Sequence, residues 1–332
     1  MAYASLAGAG QAAAALVELE PDHGVRSLRG LAAPARKIWY SPNSDLLAAV
    51  SDDWQLGVWQ VDPARLKVVV ETPVGSYADS AGGQFDRRGS RFAFAAGQEA
   101  RIYDLASGRT LQRWSLKRGV SDTLCWSDEL LLLRLENDMP PGRVRWRLYQ
   151  LGDKQDPTLL REQNDPNLVP RSAAFSKDGR RFLVWTHNPN ISVHAYETRT
   201  GRELWATSPG SIPWNVAVIV DPTGELFGYT AWKNRHMRLV RFSDFQQVAD
   251  TSFDCEAVAP SGRQFANNGW FFPDRSGTKA AVPLMDIRVS IPTFSPDGKR
   301  LAWCTEQGVV CVADLEQVQQ RLARLGRSRS AR

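Results

Sequence analysis

The chain has 332 residues, 43% of them hydrophobic and 23% charged, with a formal net charge of +5 from 41 basic and 36 acidic side chains. This balance supports a sizeable core and excludes the low-hydrophobicity, high-charge class of disordered chains. The mild basic excess gathers in Arg321, Arg324, Arg327, Arg329 and Arg332, a pattern that fits a solvated tail and speaks against nucleic acid.

Residues 1–23 are Ala-rich, and no basic residue precedes an apolar stretch between Met1 and Ala15. No secretory signal is therefore read there. No apolar run reaches the roughly 18 residues of a membrane helix, so a cytoplasmic protein without membrane contact is expected. Gly8-Ala-Gly10-Gln-Ala-Ala13 matches a dinucleotide-binding glycine pattern in letters only. That chemistry needs a buried strand before the glycines and a βαβ unit after them. Here a poor strand precedes and β-repeats follow, so no cofactor is expected.

Val25 to Leu28 reads as a single strand. Seven groups of four short strands come next, over 37–71, 83–115, 122–161, 173–207, 216–251, 256–284 and 291–313, the last group lacking a fourth strand of its own. Each group turns after its first strand. The markers are Ser41-Pro-Asn-Ser, Asp86-Arg-Arg-Gly89, Ser127-Asp128, Ser176-Lys-Asp-Gly179, Asp221-Pro-Thr-Gly224, Ala259-Pro-Ser-Gly262 and Ser295-Pro-Asp-Gly298. Pro presets φ at the second turn position and Gly accepts the positive φ that closes the turn. The third marker lacks both, which leaves six clear copies and one inferred.

The intervals are 45, 41, 49, 45, 38 and 36 residues. A period of about 40–45 residues with four strands per unit predicts a β-propeller, here all-β, seven-bladed and built of four-stranded antiparallel blades. The incomplete last group predicts that the strand near 25–29 completes it, closing the ring and removing open sheet edges. The propeller then spans 24–314. A helix over 315–325 follows, with Asp314 as N-cap and Gly326 past its end. Leu315, Val318, Leu322 and Leu325 share one of its faces, which predicts a cap laid on the ring. Residues 326–332 form the basic tail.

The segment Ser41-Pro42…Leu46-Leu47-Ala48-Ala49-Val50-Ser51-Asp52-Asp53…Val58-Trp59-Gln60-Val61-Asp62 resembles a repeat of the WD-repeat propeller family. The resemblance implies a buried hydrogen-bonded set of Ser51, Asp53 and Trp59. The family's usual His before the first strand is absent, with Ala33-Pro34-Ala35 near that point. The likeness covers roughly 24–325 and is specific to fold rather than function. The last blade, running into a helix, is similar to carboxy-terminal repeats of bacterial WD-repeat proteins that are often attached to serine/threonine kinases. No kinase motif is present here.

The chemistry-bearing residues are sparse. Cys125, Cys255, Cys304 and Cys311 fall on strands, and none is in a C-x-x-C pair. Cys304 and Cys311 lie on neighbouring strands in a diagonal arrangement that leaves a disulfide open, reduced core thiols being the expected state. His23, His187, His194 and His236 are too scattered for a metal or acid–base cluster. The first-strand residues Ile38, Phe85, Leu124, Phe175, Val216, Val218 and Phe294 are apolar, which argues against a polar active site in the channel. In the resembled fold, the loops between second and third strands share a face with those entering the first strand. That rule gathers Trp54, Asn188, Trp214, Trp232 and Arg235 into a candidate partner-binding patch, since Trp and Arg in loops are what interfaces favour. The expectation is a monomeric, non-catalytic scaffold for protein partners, without metal. The alternative is a small molecule bound or transformed at the channel mouth.

Overall fold

The structure is a computed structural model that describes residues 24–75, 81–116, 121–126, 130–138, 143–152, 156–165, 170–186, 191–210, 218–231, 236–251, 255–267, 270–273, 282–283, 289–305, 307 and 309–320. A lone strand, β1 (Val25–Leu28), precedes the repeats. Blade 1 is β2 (Ala35–Tyr40), β3 (Leu46–Ser51), β4 (Gln55–Gln60) and β5 (Arg65–Glu71). Blade 2 is β6 (Gly82–Phe85), β7 (Arg91–Ala96), β8 (Glu99–Asp104) and β9 (Thr110–Ser115). Blade 3 is β10 (Ser121–Trp126), β11 (Leu130–Asp138), β12 (Arg143–Gln150) and β13 (Thr158–Asp165). Blade 4 is β14 (Pro170–Phe175), β15 (Arg181–Thr186), β16 (Ile191–Glu197) and β17 (Glu203–Gly210). Blade 5 is β18 (Val218–Val220), β19 (Leu226–Ala231), β20 (His236–Arg241) and β21 (Gln247–Asp250). A reduced sheet follows, with strands of only two or three residues: β22 (Ala257–Val258), β23 (Phe265–Asn267), β24 (Trp270–Phe272) and β25 (Val282–Pro283). The last sheet is β26 (Val289–Phe294), β27 (Arg300–Thr305) and β28 (Val310–Asp314), completed by β1.

Every sheet is four-stranded and antiparallel. The seven blades predicted are corrected to six regular ones, because the sheet of β22 to β25, with strands of two or three residues, is too abbreviated to make a regular blade. First strands meet in the pairs β2–β6, β6–β10, β10–β14, β18–β22 and β22–β26, β17 of blade 4 meets β19 of blade 5, and β2 meets β26 where the circuit ends. Ring closure is by pairing: Val25 faces Ala313 and Leu28 faces Val310 in the β1–β28 ladder. The join is reinforced by Asp314 N–H donating to the Gly24 carbonyl at 2.7 Å. Arg26 Nη1 lies 2.9 Å from Asp62 of blade 1.

Strands inside such a ring are covered on both sides, so they carry continuous apolar runs rather than alternation. All six residues of β3 are buried. Its even positions Leu46, Ala48 and Val50 pack towards blade 2, with Phe85, Phe92 and Phe94. Leu47 and Ala49 pack the other way, with Ala302, Cys304 and Val312 of the last blade. The same geometry corrects the inference drawn from the apolar first strands. Ile38, Phe85, Phe175 and Phe294 lie in the seams between blades, so their character says nothing about the channel.

Polar staples cross the seams. Lys37 Nζ donates to Ala81 O at 2.7 Å, Arg134 Nη2 to Gly97 O at 2.5 Å, Trp126 Nε1 to Gln84 O at 3.0 Å and Thr123 Oγ1 to Ala173 O at 2.9 Å. Arg300 Nη1 donates to Ser44 O at 3.0 Å across the closing seam. The six clear turn markers close by the expected backbone bond at 2.8–3.0 Å, from Ser44, Gly89, Gly179, Gly224, Gly262 and Gly298 back to residue i. Five of these positions are glycines at φ between +64° and +71°; Ser44 adopts +66° without that freedom. The third marker, Ser127-Asp128, lies outside the described residues.

Two further expectations are resolved here. Residues 315–320 are helical, and Asp314 Oδ1 accepts from the Glu316 and Gln317 amides at 3.0 and 3.1 Å, the geometry of an N-cap. Leu315 is buried and Val318 packs on the last blade, so this turn and a half caps the ring; 321–325 lie outside the described residues. The diagonal arrangement of Cys304 and Cys311 is corrected. Cys311 faces Trp303 and Cys304 faces Val310 across the ladder, which puts the two thiols on opposite faces of the sheet. All four cysteines are buried. Burial pushes the Cys304 thiol far above its ordinary range and raises Cys311 to about 11.

Two outcomes are expected. Ellman's reagent should find no reactive thiol in the folded protein and four after denaturation; rapid native labelling would contradict the burial. Second, a Cβ on Gly224 would sit 2.6 Å from the Lys177 backbone N, whereas one on Gly298 meets nothing nearer than 3.8 Å. Gly298→Ala should therefore lose only the left-handed backbone cost of about 1 kcal/mol. Gly224→Ala should lose at least about twice that, because it also breaks the blade 4–5 contact. Urea unfolding of both variants measures the difference, and equal losses would contradict it.

Candidate functional site

Antiparallel blades give the ring two unlike faces. One carries the loops between second and third strands and the connections into each first strand. The other carries the turns after first and third strands. The predicted patch belongs to the first face. Of its members, Asn188, Trp214, Trp232 and Arg235 lie outside the described residues. Trp54 is described and half-buried: its ring occupies the space a Gly75 side chain would need, beside Ala96, and it joins the blade 1–2 core. It holds φ at +62° and its carbonyl accepts from both the amide and hydroxyl of Thr72. Trp54 is thus tied into the seam and is not a free loop-tip aromatic.

The three-residue set is joined only in part. Ser51 Oγ donates to Asp53 Oδ1. Trp59, expected as the third member, instead lays its ring over Gly57 and gives its indole N–H to Arg29 O at 2.8 Å. Without the family's His before the first strand, the indole finds its acceptor in the β1–β2 connection and fastens the ring closure.

A relay in blade 4 that the sequence did not reveal joins β16 to β17. His194 Nδ1 is 2.8 Å from Glu203 Oε2, and Nε2 is 2.8 Å from Ser192 Oγ. A carboxylate only accepts, so Nδ1 donates to Glu203 and Nε2 accepts the Ser192 hydroxyl. The order Ser–His–Glu is that of an activated nucleophile. Its exposure runs the wrong way for one: Ser192 is 6% exposed and the Glu203 side chain 46%. The acid faces solvent and the hydroxyl faces the blade 3–4 core, where His194 also stacks on Tyr196. The relay orients side chains within the blade.

On the second face, a cleft of about 590 Å³ runs across blades 4 and 5 and the reduced sheet. Its rim is formed by the first-strand turns at Ser176–Asp178, Gly224–Leu226 and Pro260–Arg263, and by the third-strand turn at Arg241–Ser243. Val248 and Ala249 of β21 add an apolar wall. The turns are joined to one another, since the Lys177 amide donates to Gly224 O at 2.9 Å and Lys177 Nζ lies 2.6 Å from Glu225. Asp178 accepts from Ser176 Oγ at 2.7 Å and the Arg180 amide at 3.0 Å. Burial works to raise its pKa, but these bonds and the Arg180 and Arg181 charges prevail and lower it.

Arg181 is the best-held cation of the cleft. Its Nη1 donates to Phe242 O, and its guanidinium sits 5.2 Å from the centroid of the Phe245 ring. Phe245 in turn stacks on Trp205, with centroids 5.8 Å apart and planes at 8°. Phe245 adopts φ +57° in the turn where blades 2 and 4 use Gly108 and Gly201. A bulky residue in that region costs about 1 kcal/mol or more and persists only where neighbours fix it. The comparison of these turns, Ala106-Ser-Gly108 and Arg199-Thr-Gly201 against Ser243-Asp-Phe245, was the one sequence signal for this joint.

Among the described residues, no group of three His, Cys, Asp or Glu side chains is placed to hold a metal. No family model matches the chain, and no curated protein matches it. Among solved structures, it is similar to the β-propeller domain of Cps50 (Swd1) from Myceliophteria thermophila, with a TM-score of 0.64 and 12% identity, covering 87% of this chain and 98% of that one. At that identity the likeness shows the fold alone, a β-propeller.

A fluorophosphonate probe is expected to leave Ser192 unlabelled in the folded protein. Ser192→Ala should cost about 1 kcal/mol of stability by removing the hydroxyl bonded to His194. Labelling of Ser192, detected by peptide mass spectrometry, would overturn the structural assignment of the relay.

Proposed function

We propose that the chain is a non-catalytic platform for protein–protein association. The observation that carries this reading is the cleft on the second face, whose walls are held across blade boundaries by the Lys177–Gly224, Lys177–Glu225 and Arg181–Phe242 contacts. A surface fixed in advance loses little conformational freedom on binding, so more of the contact energy appears as affinity. The likeness to a solved β-propeller domain supports the same reading, since such rings serve widely as rigid supports for loops. The loops bearing Asn188, Trp214, Trp232 and Arg235 are proposed as a second contact region on the opposite face. The similarity of the last blade to repeats attached to bacterial kinases extends the proposal to a regulatory module in signalling.

The test is an affinity capture from native extract with the wild-type chain and with a folded Trp232→Ala/Arg235→Glu double variant. A partner captured stoichiometrically by the wild type supports the platform. Its loss from the double variant alone supports the first-face loops as its site. Capture of nothing by either protein, repeated at low salt, overturns the scaffold reading.

A further inference from the structure

We propose that the cleft of blades 4 and 5 and the reduced sheet receives an acidic, extended segment of a protein partner. The proposal rests on the scaffold reading and adds the chemistry of what is bound. Four cations line the cleft, Lys177, Arg181, Arg241 and Arg263, against two carboxylates, Asp178 and Glu225. Both carboxylates are already engaged: Glu225 by Lys177, and Asp178 by the Ser176 hydroxyl and the Arg180 amide. Arg241 is held by Asp244 at 2.7 Å on the exposed rim. Arg181 and Arg263 form no ion pair among the described residues.

These two guanidinium groups outside any ion pair differ in a useful way. Arg181 is half-buried and fixed by the Phe242 carbonyl and the Phe245 ring, neither of which neutralises its charge. A preformed guanidinium loses little freedom in taking a carboxylate, and the pairing is charge-assisted. Arg263 is exposed at the opposite rim, on the turn of the reduced sheet. Between them lie Leu226, Phe242, Val248, Ala249 and Pro260, an apolar floor. The arrangement is a hydrophobic floor with cationic ends, and its volume is within the range of sites that enclose ligands. A segment that alternates acidic and apolar side chains satisfies both parts. The αL conformation of Phe245 belongs to the same design: it places the ring under Arg181, where Gly would leave the guanidinium unsupported.

The experiment uses a fluorescein-labelled ten-residue peptide of alternating Glu and Leu, titrated with the full chain at low salt and read by fluorescence anisotropy. Saturable binding that weakens as salt rises is expected. Arg263→Glu, an exposed change that leaves the fold intact, should weaken it at least tenfold. Arg181→Gln should weaken it similarly, with circular dichroism showing whether the blade 4–5 joint survives. Arg109→Glu, the same charge change on the blade 2 turn of the same face, is expected to stay within twofold of wild type. No saturable binding overturns the proposal, and so does equal weakening by Arg109→Glu and Arg263→Glu. Binding only of a phosphoserine version of the peptide overturns it in favour of a phosphate ligand. If Arg263→Glu abolishes peptide binding but the partner captured from extract is retained, the platform stands and the acidic segment is not its means of attachment.

Discussion

Two-sided burial governs this molecule. Each sheet is apolar on both faces, so no sheet is stable until a neighbour covers each side, and the only arrangement that covers all of them is a closed circuit. The small residues follow from this demand. Ala48 and Ala49 in β3, and Ala93 and Ala95 in β7, are completely or almost completely buried, and they let large rings from the adjacent blade approach. Trp59, Trp114 and Trp303, each at most 2% exposed, fill their seams. Their bulk is accepted because an indole N–H can reach a carbonyl, as Trp59 reaches Arg29 and Trp114 reaches Gly152.

The proposed function depends on what this closure does to the turns. A hairpin turn on an isolated sheet frays, whereas here successive turns bond to each other across the seams. The blade 4–5 junction shows the most developed case. There a backbone bond, an ion pair, an arginine bound to a carbonyl and a stack of one guanidinium on two rings all link the two blades. The stacking of Arg181, Phe245 and Trp205 is more than closure requires, since blades 2 and 4 make the same turn with glycine. Surplus order of this kind, on the rim of a cleft, is what a recognition surface needs.

The repeat was legible because turn chemistry is local. Pro and Gly at fixed offsets declared six of the turns, and the missing fourth strand after Val312 foretold the β1–β28 pairing. The N-cap at Asp314 was readable for the same reason. What depended on the third dimension was not. The opposite facing of Cys304 and Cys311 follows from register, and register is a property of two strands. Trp59 left its expected partners because Arg29, thirty residues away, offers a carbonyl. The cleft was missed since it is assembled from residues between 176 and 263, on turns chosen as structural markers rather than as candidates for recognition. Only Phe245, a bulky residue where a glycine turn was due, carried a local trace of it.

The way the ring is closed also sets how it would respond to force. Gly24 and Asp314 meet at one end of the antiparallel β1–β28 pair, where the chain enters and leaves the ring. Tension between these two points loads the ladder from that end, one hydrogen bond after another, instead of shearing all of them together. The seam that completes the propeller is therefore its zipper under load. Once β1 peels away, the last sheet loses its outer strand while the remaining blades keep their own four, so yielding begins at the closure and not in the blades that form the cleft.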